Sequence, residues 1–265
     1  MPLTLRSFAT VRDAGAALQD AEARYLGGGT LVIRQVNEGD VSFSTLVRAT
    51  APALTRIDIA GGTARLGAGV TMAAIACHPD LAFLARAART VGGPAIRNMA
   101  TVGGNLFAPA PFGDLAVALL ALDATVAVAG QEVPLAAFLA GRDGAYARSI
   151  VTGVRFALPP EGSFRFVKAS RTRPRGAAVV TIAAMIEEAG GGIRAARIAL
   201  GGMADRAMRA AAAERALLGR PRTADGIAPA LEVACQGTAP LTDAIASAWY
   251  RSEVLPVHLG RLLLA

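Results

Sequence analysis

Two short stretches carry residue types able to cradle an anion: YLGGGTLV, from Tyr25 to Val32, and TVGGNL, from Thr101 to Leu106. Successive glycines let backbone N–H groups converge and leave no Cβ in a ligand's way. Thr30, Thr101 and Asn105 add side-chain donors suited to phosphate oxygens. One Gly-Gly pair is ordinary turn material. Two such loops, each leaving an apolar strand-like segment, point to a bipartite pyrophosphate site. Two charged residues accompany them. Asp114 opens the apolar run DLAVALLALDA, where it suits a helix N-cap, and its carboxylate could also take a ribose hydroxyl. Lys168 stands in a strand pattern with Phe166 two residues earlier on the same face. An exposed strand lysine and an anion contact are both open to it.

Other chemistries find no support in the residues. GGGTLV lacks the third glycine of the dinucleotide fingerprint, and no G-K-[ST] or G-x-S-x-G occurs. The two histidines, His78 and His258, lie far apart, and Cys77 beside His78 has no C-x-x-C or H-x-x-x-H partner. Redox chemistry on this chain would therefore have to come from a cofactor. The net charge is +7, but the arginines are scattered. The densest cluster, KASRTRPR from Lys168 to Arg175, has no interleaved aromatics, so no nucleic-acid partner is expected. No run of about 18 uncharged apolar residues predicts a membrane span. The opening MPLTLRSFATVRDAG has no apolar core followed by a small-residue cleavage site, and two cysteines make no disulfide framework. The cytoplasm is the expected compartment.

These residues need elements to hold them. With 265 residues, 53% of them hydrophobic, the chain can bury a large core and form two domains. VRDAGAALQDA has helical spacing, and ARYL reads as a strand running into Gly27. RIDIAGGTARLGAG is a hairpin turning at Gly61-Gly62. TMAAIACHPDLAFLARAARTV is a helix interrupted at Pro79, with Thr71 as N-cap. TVGGNLFAPAPFGD reads as a loop leading to the Asp114 helix, followed by the strand TVAVAG. SIVTGVRFALPP is a strand ending at Pro159-Pro160, which sets a domain boundary between residues 1–160 and 161–265. Beyond it, SFRFVKAS, AAVVTIAAMIEEA and IRAARIALGG are strands, the last two joined through Gly190 to Gly192. RAMRAAAAERALLG, ADGIAPALEVACQG and TDAIASAWYRSEVLPVHLGRLLL are helices. Strands followed by helices indicate α+β.

The segment AIRNMATVGGNLFAPAPFGDLAVALLALDATV resembles the FAD-binding, or medium, subunit of the molybdenum hydroxylases, the family of carbon monoxide and xanthine dehydrogenases. The family pattern places an Asp nine residues after the Asn of T-[IV]-G-G-N, and Asn105 and Asp114 keep that spacing. LGGGTLV, ARLGAGVTMAAIA, FVKASRTR, ALGGMADRAMRAAAAERALLG and PLTDAIASAWYRSEVLPVHLGRLL resemble further family segments in the right order, over nearly the whole chain. Leu31 departs from the family, standing where Asp or Ser is usual. Met99 and Ala100 replace a bulky-polar and Gly pair. There is no cysteine-bearing insertion for the extra iron–sulfur cluster of one branch.

The resemblance implies a PCMH-type FAD-binding fold: two α+β subdomains, then a smaller α+β domain with an antiparallel sheet and helices. It implies that Leu26, Gly27, Gly28, Gly29, Thr30 and Leu31, with Thr101, Val102, Gly103, Gly104 and Asn105, wrap the FAD pyrophosphate through backbone amides. Asp114 would take a ribose or adjacent hydroxyl, Lys168 would approach the flavin, and Ile150 would pack on it. Partners would be a large molybdenum-cofactor subunit and a small [2Fe-2S] subunit, in a dimer of heterotrimers. This chain would take electrons from the [2Fe-2S] subunit and pass them to an external acceptor. A stand-alone PCMH-type flavin oxidoreductase and a non-enzymatic nucleotide-binding scaffold remain open beside that reading.

Overall fold

The computed structural model describes residues 3–172 and 176–265, so Arg173 and Arg175 of the basic cluster lie outside it. The chain opens with a small parallel sheet. Strand β1 (Thr4–Phe8) is followed by α1 (Val11–Ala17), β2 (Ala23–Tyr25), α2 (Val32–Asn37) and β3 (Thr45–Ala49), in the order β1-β3-β2. Parallel neighbours need crossovers, which α1 and α2 supply. Sequence patterning passes over β1 because almost all of it is exposed, so it carries no alternation.

A five-stranded antiparallel sheet forms the second layer. Strands β4 (Ile57–Ala60) and β5 (Thr63–Gly67) make the expected hairpin, with Gly61 at φ +55° and Gly62 at φ +71°. Helix α3 (Met72–Cys77) starts at Thr71, whose hydroxyl accepts from the Ala74 N–H at 3.1 Å. A turn at Pro79–Leu81 separates it from α4 (Ala82–Arg89), as Pro79 dictates. Then come α5 (Pro94–Met99), α6 (Val102–Leu106), α7 (Asp114–Ala121), β6 (Thr125–Val128), β7 (Gln131–Pro134), α8 (Leu135–Gly141) and β8 (Val151–Ala157). The sheet order is β4-β5-β8-β6-β7.

Two sequence expectations are corrected here. TVGGN is a helical turn, α6, rather than loop, because the Thr101 hydroxyl caps it by accepting from the Gly104 N–H at 3.2 Å. Asp114 is not the N-cap of α7. Gly113, at φ +93°, occupies that position, and Asp114 is the first helical residue.

The second half is an antiparallel sheet in the order β12-β11-β10-β9: β9 (Phe164–Ser170), β10 (Ala178–Ala189), β11 (Gly192–Gly201) and β12 (Met208–Arg209). Gly190 and Gly191, at φ +61° and +80°, turn β10 into β11. Met208 and Arg209, expected to be helical, instead pair with Leu200 and Ala199. Helices α9 (Ala211–Leu217), α10 (Ala224–Glu232) and α11 (Ala248–Leu264) follow. Residues 242–246, also expected to be helical, form a turn in which the Asp243 carboxylate accepts the Ile245 and Ala246 N–H groups.

Strand β10 explains how the halves join. Val180, Ile182, Ala184 and Ile186 point into a core shared with α9 to α11, while Ala183 and Met185 point into the core of the first half. Burial on both faces makes its sequence a near-continuous apolar run rather than an alternation. Helix α7 is buried on every side and packs on β10 and β11 as well as on α4, α6 and α8. It is the element shared between the halves.

Candidate functional site

The loop between β2 and α2 meets α6 and the residue before it. A Cβ on Gly28 would lie 1.6 Å from the Met99 carbonyl oxygen, so only glycine permits this approach. The positions of a Cβ on Gly27 and of one on Gly104 each lie 3.1 Å from the Thr101 hydroxyl. Between the two stretches, and extending toward α7 and β9, opens a cavity of about 460 Å³.

The two stretches differ in what they offer. Among the described residues, the backbone N–H groups of Gly27, Gly28, Gly29, Thr30 and Leu31 donate to no other residue. Five adjacent unengaged donors at a cavity wall are the kind of surface that can take an anion. The second stretch is already engaged. Val102 N–H donates to the Val70 carbonyl at 2.9 Å, Gly103 to Ala68 at 2.8 Å, Gly104 to the Thr101 hydroxyl, and Asn105 to the Thr101 carbonyl at 2.9 Å. Its contribution is a closely approachable surface: Gly104 is exposed between buried Gly103 and Asn105.

Asn105 and Asp114 turn out to serve one helix. The Asn105 side-chain oxygen accepts from the Ala116 N–H at 3.0 Å, capping α7 from outside in place of a cap residue of its own. Asp114, in the first turn, is buried, and its two oxygens go to two strands of the second half. The Lys168 ammonium donates to one at 2.6 Å and the Thr181 hydroxyl to the other at 2.7 Å. Lys168 also donates to the Thr90 carbonyl at 3.1 Å. Its side chain is only 9% exposed, which corrects the reading of an exposed strand lysine. An ion pair this deeply removed from water is tolerated because each charge has further hydrogen bonds.

Most of the residues singled out from the sequence line the cavity: Gly27 to Leu31 from the first loop, and Thr101, Gly103, Gly104, Asn105, Asp114 and Lys168. Leu26, Val102 and Ile150 do not. Leu26 continues the β2 edge by donating to the Val47 carbonyl at 2.8 Å, and Val102 and Ile150 are packed in the core. Ser149 and Val151, on either side of Ile150, reach the cavity instead. Leu31 stands immediately before α2 and makes no side-chain cap bond, so that helix starts without the capping oxygen Asp or Ser would bring.

Several residues of the site carried no sequence signal. Tyr25 lines the wall, and burial pushes its phenol pKa up against the lowering pull of its hydrogen bond with Ala49 and the Arg48 charge, so it stays protonated. Ile96 and Phe112 put exposed apolar surface at the rim. Arg142 does not line the cavity; buried, it holds the backbone beside it, donating to the carbonyls of Ala108 at 2.8 Å, Leu106 at 3.4 Å and Asp205 at 3.2 Å. Thr181 had one signal, a lone hydroxyl inside the apolar run VVTIAAMI.

A family model described as the FAD binding domain in molybdopterin dehydrogenase matches residues 3–159 of this chain. A second, described as the CO dehydrogenase flavoprotein C-terminal domain, matches residues 165–265. The nicotine 6-hydroxylase medium subunit of Paenarthrobacter nicotinovorans is 29% identical over 269 residues, covering 96% of this chain and 94% of that protein. The glyceraldehyde dehydrogenase medium chain of Sulfolobus acidocaldarius is 28% identical over 176 residues, 64% of this chain, and the match spans 63% of that protein's length. Among solved structures, quinoline 2-oxidoreductase from Pseudomonas putida 86 matches with a TM-score of 0.86 at 26% identity, over 100% of this chain and 96% of the other.

Proposed function

The chain belongs to the FAD-binding family of the molybdopterin dehydrogenases, and from that membership we propose that it is the electron-transfer subunit of a molybdenum-containing hydroxylase or dehydrogenase complex. Its partners are a large molybdenum-cofactor subunit and a small [2Fe-2S] subunit, assembled as a dimer of heterotrimers in the cytoplasm. Electrons arrive from the [2Fe-2S] subunit and leave to an external acceptor. The relatives' names support a multi-subunit assembly, since one is the medium chain of a dehydrogenase and the other the medium subunit of a hydroxylase.

The single observation that carries the reading is the cavity with its row of five unengaged amides. A pyrophosphate needs converging donors and a wall without side chains; Gly27 to Leu31 offer the first and Gly104 part of the second. The residues thus fit FAD. When bound, FAD supplies the electron-carrier chemistry that no side chain here offers. In this reading Gly27 to Leu31 hold the pyrophosphate and Thr101 to Asn105 form the opposing face. Asp114 takes a ribose or adjacent hydroxyl and Lys168 approaches the flavin. Leu26 and Val102 anchor the two loops, and Ile150 backs the wall from the core. Residues 1–160 form the FAD-binding domain and 161–265 the second.

Reconstitution tests the proposal. The purified chain should retain FAD at micromolar concentration through gel filtration, and native purification should bring down two further chains carrying molybdenum and iron. A chain that retains no flavin overturns the cofactor assignment and favours a scaffold. Substrate turnover by the chain alone with FAD overturns the subunit assignment in favour of a self-contained oxidoreductase.

A further inference from the structure

Lys168 and Thr181 are direct cross-strand partners in the β9–β10 register, and Thr181 in turn pairs with Gly201 on β11. The three positions form one row across the sheet, on the face turned toward the first half. At one end of the row the Lys168 ammonium reaches Asp114; in the middle the Thr181 hydroxyl does. At the other end Gly201 leaves room for the helix, because a Cβ there would lie 2.7 Å from Val117 of α7. The first turn of α7 is thereby seated on the row, with both oxygens of Asp114 held.

We propose that Thr181, which never touches the cavity, is a positioning residue for FAD, acting through Asp114. The inference rests on the FAD reading above. A carboxylate has about four acceptor sites and an ammonium three donors. Thr181 and Lys168 occupy one acceptor site on each oxygen, and Lys168 uses two of its donors on Asp114 and Thr90. Among the described residues, one Nζ–H and further carboxylate lone pairs remain for a ligand. Without the Thr181 hydroxyl, the carboxylate loses the bond that sets its rotation, and Lys168 can draw it away from the orientation that serves the cavity. Thr181 is 1% exposed and does not line the cavity, so it acts on a ligand through its neighbours, and its hydroxyl is bonded to Asp114.

The test uses the full chain and an FAD titration followed by flavin fluorescence and absorption. Thr181→Val removes the hydroxyl at nearly constant volume and should weaken FAD binding about tenfold, the loss expected for one hydrogen bond to a charged group. Thr181→Ser keeps the hydroxyl and should restore binding to within about threefold of wild type. In an Asp114→Ala background, Thr181→Val should add no further loss of FAD affinity, as expected if its influence passes through the carboxylate rather than through the packing of β10. Wild-type FAD binding with equal binding by Thr181→Val overturns the proposal. So does failure of Thr181→Ser to restore binding, or a full additional loss in the Asp114→Ala background. If wild type itself fails to bind FAD, the cofactor reading falls instead, so the two failures are distinguishable. Should Thr181→Val not fold, Thr181→Ala against Thr181→Ser gives the same comparison.

Discussion

Adjacent glycines of one motif have different jobs, and substitution separates them. Gly103 is buried, and a Cβ there would lie 3.0 Å from the Ala68 Cβ and 3.2 Å from its carbonyl oxygen. Gly103→Ala should therefore overpack the junction and destabilise the chain by about 1 to 3 kcal/mol, measured by denaturant unfolding. Gly104 is exposed, has a helical backbone, and a Cβ there would meet only the Thr101 hydroxyl. Gly104→Ala should leave the thermal midpoint unchanged or slightly raised, since alanine favours helix. It should nonetheless weaken FAD retention tenfold or more, because the methyl stands at the cavity wall. Equal losses of stability in the two variants would contradict this division.

At the scale of elements, α7 is organised by polar groups other elements bring to it. Its N-cap residue is a glycine without a side chain, and Asn105 from α6 does the capping. Asn105→Ala leaves the buried Ala116 N–H without an acceptor and should cost about 1 to 3 kcal/mol in unfolding free energy, with a parallel loss of FAD affinity. A variant that loses neither would mean that the cap is replaceable by water. Arg142 works on the carboxyl-terminal side of α6, where the last carbonyls of a short helix lack partners. Because it also holds Asp205, Arg142→Met should loosen the second half against the first. Proteolysis near Asp205 should become faster than in wild type, and an unchanged cleavage rate would show that the clamp is dispensable.

Across the whole molecule, charged groups are buried where segments must be pinned. Arg251 on α11 is buried, donates to the Ala178 and Val179 carbonyls of β10, and meets Asp243 through two bonds of 2.8 Å. Burial raises the pKa of Asp243, but the N–H groups of Ala246 and Ile245 and the Arg251 guanidinium outweigh it and leave it below the ordinary carboxylate value. A depressed folded-state value means the pair stabilises the fold above the unfolded value near 3.9 and ceases to do so as pH falls through the folded one. The thermal midpoint should therefore be flat above about pH 5 and fall as pH drops below about 4. Asp243→Asn should lower the plateau and flatten that fall. A variant with the wild-type acid slope would assign the slope to other carboxylates.

What the amino-acid sequence determined alone was whatever depends on near neighbours. The Gly61-Gly62 and Gly190-Gly191 turns, the Thr71 cap and the break at Pro79 are local demands of φ, of a missing N–H or of an orphan donor, and each was legible. The two glycine stretches and the Asn105–Asp114 spacing were legible too, and with the family resemblance they led to flavin. Tertiary structure decided which amides stay unengaged: the Val70 and Ala68 carbonyls take up the Val102 and Gly103 N–H groups, whereas among the described residues no carbonyl accepts from Gly27 to Leu31. It also decided that Asp114 pins β9 and β10 to α7 rather than capping its own helix. Its partners Lys168 and Thr181 lie 54 and 67 residues away. No local pattern encodes such pairs: where a buried polar group finds its partner is settled by which elements pack together, and the cost of leaving it unpaired makes that choice specific.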